Sequence, residues 1–348
     1  MMSDFTNVRV QDCTLRDGGY HSNWHFSDAL VNAYLKTLAA FPVALVELGY
    51  RHPETTTGHG PFGNLTEALV SSLDLPSELQ YSIMLDAKDF PRTPSYLRSA
   101  LNRITVPAAS SGISWVRVAT QVDEEYRATE VLRALADQGY QTSVSLMRAT
   151  RRALPGIRRA LAALLRLPES ARPSVVFFAD SFGVLEPADV RAITEAMRAV
   201  WPGAIGFHGH NNKGLALVNA TEAARAGASW LDSTVAGMGR GAGNVPTEYL
   251  LQEVFGLANQ DGLASLYRLV VEHFEPLRAK WQWGHSFIYH LGGKLALHPS
   301  FVQSIMAERV RNPAGIATAI RDMFERAPRQ VDTAPERYAQ PPSLPSIE

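Results

Sequence analysis

Eight short apolar runs recur along the chain at intervals of about 25 to 40 residues, with helix-like patterns between them. They read VRVQDC, VALVELGY, YSIMLDA, WVRVAT, TSVSLM, SVVFFAD, AIGFHGH and WLDSTVAG. The interval is the length of one strand plus the helix that returns the chain to the next parallel strand. Eight such units predict an α/β fold, a closed (β/α)8 TIM barrel, and an open doubly wound sheet suits them less well.

The segments between these runs carry helix signals. FSDALVNAYLKTLAAF offers Ser27 as an N-cap, and EPADVRAITEAMRAV opens with Glu186 and Pro187 before apolar residues at helical spacing. After the eighth run, PTEYLLQEVFGLANQ reads as the last barrel helix. The barrel is therefore expected to extend over residues 1–262.

The chain beyond the barrel divides into two parts. Residues 263–327 are expected to form an appended C-terminal region of about three helices with aromatic-rich turns. From 328 to 348 the chain is rich in proline and poor in large apolar residues, so it buries too little surface to offset its ordering entropy. We expect a flexible tail there, or an arm that orders on a partner.

The composition weakens the case for several kinds of partner and site. Lys and Arg number 33 against 34 Asp and Glu, a net charge of −1, so no overall field attracts nucleic acid or an anionic membrane. No run approaches the roughly 18 apolar residues of a membrane span, and the N-terminus lacks a signal-peptide pattern, so we expect a cytoplasmic protein. The single cysteine, Cys13, excludes an internal disulfide and a multi-cysteine metal site, and its strand position predicts burial.

Polar residues gather where the predicted strands end, which is the working face of a barrel of this kind. Two of them, His208 and His210, are two positions apart on one strand, so both imidazoles can face one point. With Asp17 from the end of the first run they form a two-histidine, one-carboxylate set that suits a six-coordinate Mn2+, Co2+ or Mg2+, and Zn2+ stays possible. Gly18 and Gly19 are expected to let the chain turn tightly beside the ion.

Three separated motifs, DCTLRDGGY, FHGHNN and GMGRGAGN, resemble those of the DRE-TIM metallolyases, the superfamily of HMG-CoA lyase. The chain is most similar to the 4-hydroxy-2-oxovalerate aldolase branch. The resemblance implies that Asp17, His208 and His210 bind a divalent metal, Mn2+ foremost, and that Arg16 faces the 2-oxo oxygen of the substrate. It implies retro-aldol cleavage of a 4-hydroxy-2-oxo acid to pyruvate and an aldehyde through a metal-stabilised enolate, or the reverse condensation.

The general base is where the sequence departs from that branch, which has a histidine three residues after the motif aspartate. This chain has Tyr20 at that position and His21 one position later. His21 is the first candidate because an imidazole titrates near the working pH. Tyr20, His25 and His285 remain open.

Further site residues are expected at the ends of other strands. Ser181 fits a hydrogen-bond donor to the substrate carboxylate, with Asp180 orienting it, although a plain strand-end turn fits as well. Glu47 either supports the metal site or pairs with an arginine at the barrel mouth. In the glycine-rich loop, Asn244 is a further metal ligand or supports one, and the spacing fits a dinucleotide fingerprint poorly. The resemblance also implies that Tyr289, in the C-terminal region, reaches over the substrate.

Two other functions compete with the aldolase hypothesis. The first is a Claisen-type synthase that condenses an acyl-CoA with a 2-oxo acid and resembles isopropylmalate synthase, although that branch usually has Gly-Glu-Gln after the motif aspartate. The second is a non-catalytic barrel subunit, which the intact ligand positions disfavour. HMG-CoA lyase itself carries a cysteine in the glycine-rich loop, and this chain has none there. We expect a homo-oligomer, a dimer, with an aldehyde dehydrogenase as a possible partner.

Overall fold

The computed structural model describes residues 5–122, 124–311 and 315–327, so the predicted tail at 328–348 lies outside the described residues. Eight parallel strands close into a barrel in chain order, with β1 pairing with β8. The predicted (β/α)8 fold is therefore confirmed. The strands are β1 (Arg9–Asp12), β2 (Val43–Tyr50), β3 (Tyr81–Asp86), β4 (Trp115–Gln121), β5 (Gln141–Met147), β6 (Val175–Asp180), β7 (Ala204–Gly209) and β8 (Trp230–Ser233).

Helices follow the strands and pack around the barrel. Ser27 caps its helix as predicted, since its Oγ accepts a hydrogen bond from the Leu30 amide at 3.3 Å. Glu186 and Asp189 form a capping box at the start of another helix. The helices are α1 (Thr14–Asp17), α2 (Gly19–Ser22), α3 (Asp28–Leu38), α4 (Glu67–Ser72), α5 (Pro94–Ile104), α6 (Glu125–Asp137), α7 (Leu154–Leu165), α8 (Pro187–Arg198), α9 (Ala216–Arg225), α10 (Thr247–Phe255), α11 (Gln260–Leu269), α12 (Glu275–Trp281), α13 (Phe287–Lys294), α14 (Pro299–Arg311) and α15 (Ile316–Arg326).

The chain turns into a helix directly after β1, whereas we expected the strand to continue to Arg16 and Asp17. Arg16 and Asp17 lie on the helical turn α1, because the Asp12 carboxylate accepts hydrogen bonds from the Thr14 amide at 2.9 Å and the Thr14 hydroxyl at 2.6 Å. A neighbouring hydroxyl, that of Tyr34, donates to the same oxygen at 2.6 Å. The buried carboxylate therefore holds the turn that presents the two charged side chains.

The two glycines after this turn serve close packing rather than the tight turn that we expected. Gly18 has φ −65°, which any residue adopts. A Cβ on Gly19 would lie 2.1 Å from the Trp24 ring, whose Nε1 donates to the Arg16 carbonyl at 2.8 Å. The absent side chain thus leaves room for the tryptophan that fixes the Arg16 backbone.

The C-terminal region contains more helix than the three segments expected, and a helix crosses its predicted start at 263. A π-helical turn, Val270–Phe274, joins α11 to α12. Residues up to Trp283 pack into the main barrel core, whereas α13 to α15 form a second apolar cluster seated on Ala242 of the glycine-rich loop. This second cluster therefore lies at the carboxyl face of the barrel. Within the described part of the chain, no helix combines the length and apolar character needed to cross a membrane.

Candidate metal centre and active site

Asp17, His208 and His210 come together at the carboxyl end of the barrel, all three buried. One ligand atom from each lies within 4.8 Å of the others. Asp17 Oδ2 is 3.5 Å from His208 Nε2 and 4.0 Å from His210 Nε2. These residues reach one point because α1 follows β1 and the histidines lie at the end of β7, two strands away around the barrel.

In its neutral form, His208 presents an unprotonated nitrogen to this point. Its Nδ1 is 2.8 Å from Asp232 Oδ2, and because a carboxylate only accepts hydrogen bonds, Nδ1 carries the hydrogen in the neutral ring. Its Nε2 then faces the Asp17 carboxylate with a lone pair. Burial acts to lower the pKa of His208, but the contacts with Asp17 and Asp232 raise it overall. The space between Nε2 and Asp17 thus favours a positive charge.

His210 and Asp17, the other two residues of the cluster, are in the ionisation states that metal ligands require. Burial lowers the pKa of His210 to about 3, so its imidazole is neutral. Burial alone would raise the pKa of Asp17, but the Arg16 guanidinium and the two histidines hold it well below its ordinary value. Asp17 is therefore a carboxylate at neutral pH.

A fourth side chain completes this set of donors. Asn244 pairs with His210 through a backbone bridge, and its amide nitrogen lies 3.1 Å from His208 Nε2. A Cβ on Gly239 would fall 1.7 Å from Asn244 Oδ1 and 3.1 Å from Asp17 Oδ2, so the missing side chain leaves this space to the two oxygens. Both are buried without a hydrogen-bond partner among the described residues. Two unpartnered oxygens beside two imidazoles fit a divalent cation.

A ring of buried ion pairs surrounds the cluster. Arg16 Nε is 2.6 Å from Glu47 Oε2, and Arg16 Nη1 is 3.0 Å from Asp17 Oδ1. On the far side, Arg117 Nε is 3.2 Å from Glu47 Oε1, and Arg117 Nη1 is 2.5 Å from Asp232 Oδ2. Glu47 therefore pairs with two arginines, which resolves the choice that the sequence left open.

Sequence reasoning missed Arg117 and the role of Asp232 in this ring. Arg117 is the central charge in the apolar run WVRVAT, and a charged residue within a buried strand was the available signal. Its partner could not be found that way, since Asp232 lies 115 positions further along the chain. The two meet only because the barrel closes.

His21 does not direct its basic nitrogen at the cluster. Its Nε2 is 2.8 Å from the Gly239 carbonyl oxygen, so Nε2 carries the hydrogen in the neutral ring. Its Nδ1 lies 3.4 Å from the Gln303 side-chain nitrogen, which belongs to α14. The ring is also flanked by Trp281 and Trp283. His21 thus links the first loop to the C-terminal region.

The other proposed bases lie in different surroundings. The Tyr20 hydroxyl is 3.2 Å from the Tyr50 hydroxyl. The Arg240 guanidinium lies over the Tyr20 ring, with its Cζ 5.4 Å from the ring centre. His25 is exposed. His285 is also exposed, and its Nε2 lies 3.5 Å from His290 Nδ1.

Asp180 does not orient Ser181 as expected. Its two carboxylate oxygens accept hydrogen bonds from the Val184 and Leu185 amides at 2.9 and 3.0 Å, so it shapes the loop after β6. Burial raises the pKa of Asp180 to about 6 despite these bonds. The Ser181 hydroxyl instead accepts a hydrogen bond from the Arg148 amide at 2.9 Å.

Tyr289 lies in the second apolar cluster, over the glycine-rich loop. The edge of its ring is 3.5 Å from where a Cβ on Gly241 would stand, and burial raises the pKa of its phenol. Cys13 is fully buried, as expected, and its thiol donates to the Ser233 carbonyl at 3.4 Å. Burial raises the pKa of this thiol well above its ordinary value, so it is protonated beside His208 and Asp232.

The fold and the cluster define a barrel enzyme, and comparisons with known proteins agree. The model of the HMGL-like family matches residues 7–266. A Thermomicrobium roseum protein named 4-hydroxy-2-oxovalerate aldolase is 33% identical over 75% of this chain and 70% of its own length. A Mycobacterium tuberculosis protein named oxaloacetate decarboxylase is 30% identical over 70% of this chain and 68% of its own. The chain belongs to the HMGL-like family and is a carbon–carbon lyase.

Solved structures give the same architecture. The N-terminal domain of a putative aldolase from Bacteroides vulgatus is 28% identical, with a TM-score of 0.74 over 90% of this chain and 100% of that domain. The carboxyl transferase domain of Rhizobium etli pyruvate carboxylase has a TM-score of 0.66 over 90% of this chain and 54% of its own. At 16% identity, this second likeness shows the fold alone.

Proposed function

We propose that the protein cleaves a 4-hydroxy-2-oxo acid between carbons 3 and 4 to pyruvate and an aldehyde, or catalyses the reverse condensation. The observation that carries the proposal is the buried cluster of Asp17, His208 and His210 beside the Arg16 guanidinium. The relatives named 4-hydroxy-2-oxovalerate aldolase support it. The expected dimer, the dehydrogenase partner and the preference for Mn2+ stay predictions.

The chemistry requires positive charge where the enolate oxygen of pyruvate develops. Asp17, His208, His210 and Asn244 would hold a divalent cation, which supplies that charge and orients a 2-oxo acid. Arg16 is anchored by Glu47 and Asp17 through Nε and Nη1, which leaves Nη2 without an acceptor among the described residues. This nitrogen is the part of Arg16 that can donate to the substrate oxygen.

The proton of the 4-hydroxyl group needs an acceptor, and here the geometry favours Tyr20 over His21. The lone pair of neutral His21 faces Gln303, as its hydrogen bond to Gly239 requires. The Tyr20 hydroxyl lies within reach of Tyr50, and burial raises the pKa of Tyr50, so Tyr50 is a neutral hydrogen-bond partner. We therefore put Tyr20 before His21, and as the base Tyr20 would act in its phenolate form, with the Tyr50 hydroxyl donating a hydrogen bond to it.

Metal content and turnover test the proposal together. Asp17→Asn should lose bound divalent ion, measured by elemental analysis, and should lose pyruvate release from 4-hydroxy-2-oxovalerate. Asp261→Asn, at an exposed position on α11, is the matched control and should retain both. Tyr20→Phe should retain the ion and lose turnover, whereas His21→Ala should retain most turnover. If Asp17→Asn changes neither metal content nor activity, the proposal fails.

Decarboxylation of a 2-oxo dicarboxylic acid is a second candidate. It breaks the same bond and leaves the same enolate, but the departing group is carbon dioxide, so no base for a hydroxyl proton is required. The orientation of His21 away from the cluster and the relative named oxaloacetate decarboxylase favour this candidate. Carbon dioxide release from oxaloacetate, insensitive to Tyr20→Phe and faster than aldol cleavage, would select it.

The acyl-CoA alternative is tested in the same preparation. Metal-loaded protein is incubated with acetyl-CoA and a 2-oxo acid, and free thiol is measured. Thiol release without pyruvate-dependent aldol turnover would replace the aldolase proposal by a Claisen-type synthase.

A further inference from the structure

Arg240 extends across the mouth of the barrel from the loop that follows β8. Its guanidinium lies over the Tyr20 ring, and its Nη2 is 3.5 Å from the Ser181 carbonyl oxygen at the end of β6. Its neighbour Gly239 lies against the unpartnered oxygens of Asp17 and Asn244. Arg240 therefore extends from beside the metal cluster to the end of β6, the strand next to β7.

The charge of Arg240 is compensated differently from the charges of Arg16 and Arg117. Arg16 and Arg117 each pair with two carboxylates at 3.2 Å or less. Across residues 5–122, 124–311 and 315–327, no carboxylate forms an ion pair with Arg240, and its Nε is buried without a hydrogen-bond partner. A half-buried guanidinium without a counter-charge is suited to bind an anion.

A second cation lies on the same rim. The Arg148 amide donates to the Ser181 hydroxyl oxygen at 2.9 Å, and the Arg148 guanidinium reaches toward Gln121 Oε1 at 3.4 Å. Nearby, His298 packs against Phe182, with ring centres 6.0 Å apart. Burial and the two cations, Arg240 and Arg148, lower the pKa of His298 to about 4. Arg148 and Arg240 are thus both joined to Ser181, the first through its backbone amide and the second through its guanidinium.

The position of this region in the barrel suggests which part of a substrate it meets. The cluster is built from β7, β8 and the turn after β1, whereas Arg148 follows β5 and Ser181 follows β6. In a closed barrel of eight strands, β5 lies opposite β1. A substrate bound by its 2-oxo acid end at the cluster would extend its other end toward the ends of β5 and β6, where the Arg240 guanidinium meets the Ser181 carbonyl.

We propose that Arg240, with Arg148 beside it, is an anion subsite that selects substrates with a second negative group, carried on the aldehyde half. The inference rests on the proposed aldol function and names its substrate class. A carboxylate and a phosphate offer the same oxygen acceptors to a guanidinium, so the tests below compare both.

The first test compares acceptor aldehydes that differ in charge. Condensation of pyruvate is measured with butanal against 4-oxobutanoate, and with glycolaldehyde against its phosphate. The variants are Arg240→Gln, Arg240→Lys and the control Arg268→Gln, an exposed arginine paired with Glu272. Wild type and the control should favour an anionic acceptor by about tenfold or more in kcat/KM.

Arg240→Gln should abolish that preference by lowering kcat/KM for the anionic acceptor alone, and Arg240→Lys should keep part of it because it keeps the charge. A preference for either the carboxylate or the phosphate supports the subsite and identifies its ligand. Equal losses for neutral and anionic acceptors, or a preference that survives Arg240→Gln, would overturn it. Thermal unfolding of each variant checks that the fold is intact.

The second test needs no turnover. Binding of succinate and of inorganic phosphate is measured by titration calorimetry, and Arg240→Gln should weaken one of them at least about tenfold relative to Arg268→Gln. If the wild type condenses no aldehyde but this difference appears, the aldolase proposal fails and the subsite stands. If neither anion binds more weakly to Arg240→Gln, the subsite is wrong whatever the turnover.

Discussion

The two ends of the barrel interior differ in the kind of side chain that fills them. At the amino end, the interior is an apolar cluster whose members are Leu45, Trp115, Val175, Phe177 and Trp230. At the carboxyl end it is a ring of two arginines and three carboxylates with two histidines, all buried. Arg117 marks the boundary, with its guanidinium 4.2 Å from the Phe177 ring centre. The same closed sheet thus carries an apolar half and a charged half that holds the candidate site.

The carboxyl groups of the charged half differ in pKa according to whether a guanidinium lies beside them. Asp17 and Asp232 are buried, yet paired arginines hold the pKa of each well below its ordinary value. Asp180 and Glu248 have backbone amides as partners instead, and burial raises the pKa of both. In this interior, the paired arginines therefore hold the pKa of a buried carboxylate below its ordinary value, which the backbone amides beside Asp180 and Glu248 do not do.

The largest expected effect comes from breaking the ring. Arg117→Met leaves Glu47 and Asp232 buried with less compensating charge, so the free energy of unfolding should fall by about 4 kcal/mol. Urea denaturation measures it. Arg268→Met, at an exposed position, should change stability by less than about 0.5 kcal/mol. Unchanged stability in Arg117→Met would mean that the ring is not a structural unit.

A loss nearly as large is expected from the apolar half, but with a different signature. Trp230→Ala removes a buried ring that packs against Trp115, at a centre distance of 5.6 Å, and should cost about 3 kcal/mol of stability. Because the tryptophan does not touch the cluster, divalent-ion affinity should stay within about twofold of wild type. A loss of metal binding as severe as the loss of stability would contradict the division into two halves.

A smaller effect is expected from removing the carboxylate that supports the metal ligand His208. Asp232→Asn keeps the size of the side chain but removes the carboxylate that fixes the His208 tautomer, so divalent-ion affinity should weaken by about 10- to 100-fold. Calorimetric titration of Mn2+ measures it, with Asp261→Asn as the control. Wild-type affinity in Asp232→Asn would show that the ring does not tune the metal site.

The fold was predictable because the strand spacing is a property of the backbone. A strand and its returning helix take a similar length each time, so the eight runs identified β1 to β8 without any knowledge of their contacts. The boundaries were less predictable. The eighth run was expected to extend to Gly237, but Ala236 and Gly237 have positive φ, and the strand ends at Ser233.

The site was predictable where it depends on local spacing. His208 lies on β7 and His210 directly after it, two positions apart, and this local spacing brought them to one point. Contacts between strands were not predictable, so the partners of Arg117 and Asp232 were missed. The orientation of His21 was missed for the same reason, since it depends on Gln303 in a helix that lies 282 positions further along.

The smallest expected effect concerns Glu248, a partly buried carboxylate that accepts a hydrogen bond from the Ala236 amide at 2.9 Å and has no arginine partner in the hydrogen bonds and ion pairs of the described chain. Burial raises its pKa to about 7, above the usual value near 4.3 in an unfolded chain. Its contribution to stability is therefore fully present below about pH 4 and is lost as the pH rises through about 7.

Glu248→Gln should flatten this dependence, because the amide cannot ionise. Relative to wild type, the variant should gain on the order of 1 kcal/mol between pH 5.5 and 8.5, allowing for solvent screening of a partly exposed group. Urea unfolding at the two pH values measures the gain, and Glu272→Gln, on the exposed face of its helical turn, is the control. Parallel pH profiles for wild type and Glu248→Gln would mean that burial without an arginine does not penalise a carboxylate here. The contrast with Asp17 and Asp232 would then need another cause.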